Sequence, residues 1–241
     1  MDIDIRPNTW EEFPTLKRVN GRAQTNFNED GDIERFRIIF DPDRSLAAFE
    51  DGNIVGCTTS YGLDMMVPGG TMPIGAVAQV SVQATHRRKG INTRLMRKQL
   101  SDMHNWGESM AVLQASESII YGRYGYGMGS FEYTLEIDRP HGEFTQRHSP
   151  AGRLLFIDEN EAKQIFPVVF ERATLLRNGM VKRDDTWWKF RFVQPAMWRS
   201  DPRAWFVKYE VDGRVDGYLW FTVKDEVLIV KELISATDDA Y

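Results

Sequence analysis

The stretch from Val80 to Met103 constrains the fold more than any other. Val80-Ser81-Val82 reads as the end of a strand that starts at Ile74, and Ile91, Leu95, Met96, Leu100 and Met103 recur at the spacing of an amphipathic helix ending near Gly107. Between them lies Gln83-Ala84-Thr85-His86-Arg87-Arg88-Lys89-Gly90, a loop containing Arg-x-x-Gly. A helix start presents backbone N–H groups with no intrahelical partner, and its dipole adds partial positive charge, so this junction suits a diphosphate. Gly90 lets the backbone approach a ligand closely, and the loop arginines add charge-assisted donors. Arg87, Arg88, Lys89, Arg94, Arg97 and Lys98 concentrate basic charge in a chain whose net charge is −5. The same residues also fit the solvated first turn of a surface helix, so the pattern admits both readings.

Strand and helix signals alternate along the rest of the chain, the mark of a mixed α/β class. Thr9 before Trp10-Glu11-Glu12-Phe13 has the form of a helix N-cap. Residues 26–36 form an acidic loop entering a helix. Apolar runs at 45–49 and 53–61 meet at Asp51-Gly52, the dipeptide that suits the two positive φ angles of a type I′ hairpin. Pro68-Gly69-Gly70 is a further turn, and strands are expected at 110–114 and 131–137. Residues 139–152 carry the proline and glycine of a linker. Beyond it, 154–157 reads as strand, 158–176 as helix, 187–192 as a second helical piece, and 204–211 and 218–223 as strands around Asp212-Gly213.

The second half echoes the first. Ala48-Phe49-Glu50-Asp51-Gly52-Asn53-Ile54-Val55-Gly56 is matched by Tyr209-Glu210-Val211-Asp212-Gly213-Arg214-Val215-Asp216-Gly217, and Ala84-Thr85-His86-Arg87-Arg88 by Ala236-Thr237-Asp238-Asp239. Two matches in the same order indicate a duplicated domain. The expected division is 1–145 and 146–241. Two aspartates stand where the first copy has arginines, so only the first copy suits phosphate. Asp238-Asp239-Ala240-Tyr241 reads as the first turn of a helix without its remainder, an expectation that the chain is part of a longer protein.

Several function classes are disfavoured. The acidic balance argues against non-specific nucleic-acid binding, and no apolar run approaches the ~20 residues that span a bilayer. The N-terminus lacks a signal-peptide pattern, so a cytoplasmic location is expected. The single cysteine, Cys57, excludes an internal disulfide, and its place in a strand run makes it a core residue. His86, His104, His141 and His148 lack metal-ligand spacing, so no metal is expected. There is no P-loop, dinucleotide fingerprint or Gly-x-Ser-x-Gly elbow.

The run Val-x-Val-x-x-x-x-Arg-Arg-x-Gly before an amphipathic helix resembles the acetyl-CoA motif of the GCN5-related N-acetyltransferases (GNAT). The blocks Ala84–Gly90 and Ala115-Ser116-Glu117-Ser118-Ile119-Ile120-Tyr121-Gly122-Arg123-Tyr124-Gly125-Tyr126-Gly127 resemble the Eis ("enhanced intracellular survival") aminoglycoside acetyltransferases. This resemblance implies tandem GNAT folds, each a mixed, mostly antiparallel sheet flanked by helices. Only the first would be catalytic; the second would be incomplete here, and a C-terminal sterol-carrier-like domain absent.

By the same resemblance, the backbone of Val80, Ser81 and Val82 would bind the pantetheine arm. A strand N–H near Val82 would polarise the thioester carbonyl. Arg87, Arg88, Lys89, Gly90, Ile91, Asn92 and Thr93 would cradle the diphosphate, Asn92 replacing the family's small residue. Ser116 and Glu117 would lie near the thioester. Tyr121 would be the general acid for the departing thiolate, a sensible pairing of pKa values near ~10 and ~8.5. Tyr124 and Tyr126 read as packing. Asn26, Phe27 and Phe36 would line the acceptor pocket, with Glu29, Asp30 or Asp32 supplying charge. The family's base, its own C-terminal carboxylate, has no counterpart at Tyr241, leaving His86, Asp64 or Glu117 as substitutes.

The implied activity is direct acetyl transfer to primary amines of a polycationic small molecule such as an aminoglycoside, by a homo-oligomer that is hexameric in intact members. The alternatives are acetylation of lysines in proteins or peptides, and a non-catalytic CoA-binding or assembly module.

Overall fold

A computed structural model describes residues 3–25, 30–143, 149–193 and 204–241. In chain order the elements are β1 (Asp4–Pro7), α1 (Phe13–Ala23), α2 (Asp30–Arg37), β2 (Ser45–Glu50), β3 (Asn53–Val67), β4 (Gly70–Val82), α3 (Ile91–Asn105), β5 (Met110–Leu113) and α4 (Ser118–Tyr121). They continue with β6 (Arg153–Ile157), α5 (Glu159–Thr174), α6 (Asp185–Phe192), β7 (Trp205–Val211), β8 (Arg214–Lys224) and β9 (Val227–Ser235). Two compact units result, residues 3–124 with 177–193 and residues 125–176 with 204–241.

The first unit is built on a five-stranded sheet in the order β1-β2-β3-β4-β5. Its pairs are antiparallel except β4–β5, which run parallel through α3. Thr9 and Glu12 form a reciprocal capping box ahead of α1: the Glu12 N–H donates to Thr9 Oγ1 at 3.3 Å, and the Thr9 N–H to Glu12 Oε2 at 3.0 Å. The α1 side chains Leu16 and Val19 bury one sheet face against Ala47, Phe49, Ile54 and Cys57. On the other face Ile91 and Leu95 of α3 pack on Leu46, Ala48 and Val55. The period-3.6 pattern of α3 is thus the stripe that seals the sheet. Residues 177–193 join this unit as a strap: the Lys182 N–H donates to the Asp64 carbonyl and the Met66 N–H to the Met180 carbonyl, each at 2.8 Å.

The second unit holds a four-stranded antiparallel sheet in the order β6-β7-β8-β9, with α5 against it. Asp158 caps α5 by accepting from the Glu161 N–H at 2.9 Å. Phe166 of α5 stacks on Tyr218 of β8, ring centroids 3.8 Å apart.

The duplication is visible in the backbone. Asp51-Gly52 and Asp212-Gly213 both have positive φ at each residue. The register of β2–β3 slips between Ala48 and Phe49, and that of β7–β8 between Tyr209 and Glu210, in each case three and two residues before the turn aspartate. Gln83 donates its N–H to the Val55 carbonyl, and Ala236 does the same to Asp216.

One expected strand does not form. Residues 131–137 alternate apolar and polar side chains, yet no described strand pairs with them, and Phe131, Tyr133, Leu135 and Ile137 stand exposed. Alternation specifies a pleat; a strand also needs a ladder partner, which sequence period does not supply. Asp238–Ala240 closes the chain as a single 3₁₀ turn. Among the described residues no helix is long and apolar enough to cross a membrane.

Candidate active site

The site starts where two parallel strands part. The β4–β5 ladder runs from Ile74↔Met110 to Val77↔Leu113 and stops, while β4 continues to Val82. On its other side β4 remains paired with β3 through Cys57↔Ser81 and Gly56↔Val82. The backbone of residues 78–82 is therefore open along one edge, the geometry an extended amide ligand can join as an additional strand. Val80, Ser81 and Val82 all lie in this opened segment.

A bulge sits in the same place. The register shifts between Cys57 and Thr59, and Gln79 on the facing strand has φ +56°. The Gln79 side-chain amide donates to the Tyr61 hydroxyl at 3.1 Å. Burial pushes the Tyr61 hydroxyl up to about 12, against the opposing pull of that bond. Tyr61 also meets Trp187 edge to face at 5.1 Å. Sequence reasoning missed Tyr61 and Gln79, because no residue type announces a positive φ at a glutamine inside a strand. Cys57 touches Ser81 Oγ at 3.2 Å and the Gln79 carbonyl at 3.4 Å. Burial raises its thiol to about 11, which keeps it protonated and unfit as a nucleophile near neutral pH.

Beyond Val82 the chain makes a short 3₁₀ turn at Ala84–His86 and then enters α3. Arg88 and Gly90 have φ of +63° and +74°, so the turn folds the Arg87–Gly90 backbone sharply before the helix. Among the described residues no side chain caps α3, which leaves the N–H groups of its first turn, beginning at Ile91, to a ligand or solvent. Arg87 and Arg88 are exposed, and neither forms an ion pair among the described residues. Lys89 lies 3.2 Å from Glu50, and His86 2.7 Å from the same carboxylate. Of the remaining basic residues, Arg94 donates to the Ile3 carbonyl and Lys98 pairs with Asp102.

The downstream block lies against the same helix. Asn92 Nδ2 donates to the Tyr124 hydroxyl at 3.4 Å, and Thr93 Oγ1 shares a hydrogen bond with it at 3.2 Å. Tyr124, read from sequence as a packing ring, is also the tie between the α4 segment and the α3 N-terminus. Tyr121 ends α4 half-buried; burial first, then the neighbouring Tyr124, holds its hydroxyl above the usual tyrosine value. Ser116 and Glu117 precede α4 in an exposed loop.

On the acceptor side, Asn26, Phe27 and Glu29 lie outside the described residues. Phe36 is placed, and its ring carries the Lys17 ammonium 3.5 Å from its centroid. Lys17 is almost fully buried, and burial brings it down to about 8. Two adjoining hollows of about 250 and 380 Å³ share Arg44, Gly62, Asp184 and Trp187. Asp41 and Tyr61 line the first, and Asp64, Trp106, Glu108 and Lys182 the second. Of the substitute bases, Asp64 faces Pro73, five residues before Ala78 on β4, which puts it roughly 16 Å along the strand from the bulge. His86 is committed to Glu50 and Thr85, and Glu117 is exposed. Among the described residues no cluster of His, Cys, Asp and Glu could hold a metal ion.

In the second unit the equivalent turn is filled from within. Asp239 accepts from the Tyr209 hydroxyl, which in turn accepts from the Gly152 N–H at 2.7 Å.

Two family models, both described as an acetyltransferase (GNAT) domain, match residues 4–129 and 179–241. The chain is 37% identical over 232 residues to an uncharacterized N-acetyltransferase of Streptomyces coelicolor, covering 91% of this chain and 54% of that protein. It is 26% identical over 259 residues to the N-acetyltransferase Eis of Mycobacterium tuberculosis, covering 100% of this chain and 62% of Eis. The crystal structure of Eis1 from Mycobacterium abscessus superposes with a TM-score of 0.81 at 28% identity, over 100% of this chain and 60% of Eis1. The chain thus spans about half the length of the first curated relatives it matches.

Proposed function

The chain belongs to the acetyltransferase (GNAT) domain family, and from that premise we propose that it transfers acetyl from acetyl-CoA to primary amines of polycationic small molecules such as aminoglycosides. The observation that carries the reading is the parting of β4 from β5 after Val77↔Leu113, immediately ahead of the arginine-rich turn and the uncapped start of α3. The residues fit acetyl-CoA in order: an open strand edge for the amide-bearing arm, then backbone N–H groups and exposed arginines for the diphosphate.

When bound, acetyl-CoA supplies the activated thioester. The open edge of residues 78–82 orients it, and a strand N–H there polarises the carbonyl oxygen. Tyr121 holds the proton that the departing sulfur takes up. Its raised pKa keeps that proton in place at neutral pH. The buried, protonated Cys57 favours direct transfer over an acyl-enzyme. The acceptor enters from the side of Phe36, Tyr61 and Trp187. There Asp41, Asp64 and Asp184 suit a cation by charge and the Trp187 indole by cation–π contact, with Arg44, which lies over Trp106, and Lys182 lining the same hollows.

A thiol-release assay with acetyl-CoA tests the reading against kanamycin-type aminoglycosides, spermidine and a lysine peptide. Faster release with the polycations than with the peptide is expected. Peptide preference replaces the substrate class, and release with none of them removes catalysis.

A further inference from the structure

The diphosphate turn is held by a residue outside it. Glu50 ends β2, and its carboxylate is largely enclosed, with the side chain 13% exposed. Oε2 lies 2.7 Å from His86 Nε2 and Oε1 lies 3.2 Å from Lys89 Nζ. The other imidazole nitrogen, Nδ1, sits 2.7 Å from Thr85 Oγ1. These partners are satisfied together when Nε2–H donates to Glu50 and Nδ1 accepts from the Thr85 hydroxyl. One carboxylate thereby grips the turn on both sides of Arg87 and Arg88.

Resting on the diphosphate reading above, we infer that Glu50 is a positioning residue for coenzyme binding, pinning His86 and Lys89 so that the Arg87–Gly90 backbone is formed before the ligand arrives. The backbone needs such a hold. Arg88 occupies the left-handed region at φ +63°, which a residue with a Cβ visits only at a cost, and Gly90 follows it at +74°. Among the described residues neither arginine has an ion pair to keep it there. The two ties to Glu50 fix the residues flanking this bend, and Gln83 anchors its start through the Val55 carbonyl at 2.9 Å. His86 first and Lys89 second hold the Glu50 carboxyl below its ordinary range, so it stays ionised at neutral pH. The arrangement spends part of the Lys89 charge on Glu50. In return the turn is preorganised, and its two exposed arginines are left for the ligand.

Glu50→Gln keeps the shape and removes the charge. CoA affinity is read by titration calorimetry, and kcat/KM is read with acetyl-CoA and with S-acetylpantetheine, which lacks the diphosphate. The expected outcome is about tenfold weaker CoA binding, equivalent to ~1.4 kcal/mol, with turnover of S-acetylpantetheine unchanged. Unchanged or tighter CoA binding in Glu50→Gln overturns the inference, because the carboxylate would then merely compete with phosphate for Lys89. Equal losses with both thioesters also overturn it, because that is general structural damage. Wild-type protein that binds no CoA removes the diphosphate reading itself, a failure that the wild-type titration separates from the other two.

Discussion

Arg44 Nη2 lies 2.7 Å from Glu108 Oε1, and this ion pair rests in a notch made by two glycines that face each other across β3 and β4, Gly62 and Gly75. A Cβ on Gly62 would stand 2.7 Å from Arg44 Nη2, and one on Gly75 would strike Met103 Sδ and come within 2.7 Å of Glu108 Oε2. The Arg44 guanidinium also lies over the Trp106 ring, 4.4 Å from its centroid. The Glu108 side chain is only 4% exposed and that of Arg44 20%, so neither charge has much water to fall back on. Removing Glu108 leaves Arg44 only the longer, 3.9 Å contact with the half-exposed Asp41 carboxylate. Glu108→Ala should therefore destabilise the protein by about 3 kcal/mol. Urea unfolding with an unchanged m-value checks this, and a loss below about 0.5 kcal/mol would mean the pair is solvent-compensated.

Lys17 gives a prediction of the opposite sign. Burial brings its ammonium from 10.5 to about 8, so the folded state holds the proton less tightly than the unfolded chain. The stability tied to the neutral amine is present above about 10.5 and is lost as pH falls through about 8. At pH 7 the fold carries a buried cation, offset in part by the Phe36 ring. Lys17→Met should stabilise the protein at pH 7 by about 2 kcal/mol, and the gain should shrink as pH approaches 10. Denaturant midpoints at pH 7 and pH 10 test it; a variant no more stable than wild type at pH 7 contradicts the argument.

Tyr121→Phe separates chemistry from binding. The ring is retained and only the hydroxyl proton is lost, so CoA affinity should hold. Turnover should fall by about 10² or more, the usual worth of a positioned general acid. Unchanged turnover would remove Tyr121 from the reaction and return it to packing, beside Tyr124.

What could be read from the sequence was the chemistry that acts between near neighbours. Asp51-Gly52 and Asp212-Gly213 supply their own positive φ angles, Thr9 and Glu12 cap each other three residues apart, and the α3 stripe is fixed by helical period. The order of β4, arginine-rich turn and α3 follows from the same local rules. What depended on distant partners was not readable. Residues 131–137 have the alternation of a strand and no ladder partner among the described residues, while 177–193, past the expected linker, pack with the first unit. Gln79 carries the bulge only because β3 and β4 slip register across it, and Glu50 reaches His86 across 36 positions of sequence.

Gly90 shows how far a single backbone angle reaches into function. A Cβ there would meet no atom of the described residues within 4 Å, so among them crowding is not the obstacle to substitution; φ of +74° is. Alanine in that region costs about 1 kcal/mol, whereas asparagine tolerates it better because its short polar side chain bonds locally. Stability should therefore rank Gly90 above Gly90→Asn above Gly90→Ala, with CoA affinity following the same order as the turn is formed less often. Gly56→Ala is the contrast: its Cβ would lie 3.0 Å from the Ser81 carbonyl and 3.2 Å from Ile91 Cγ2, so it disturbs packing beneath α3 at an ordinary backbone angle. Thermal unfolding and CoA titration of the three variants decide the matter. If Gly90→Ala is as stable and as tight-binding as wild type, the left-handed turn is not what presents the first amides of α3.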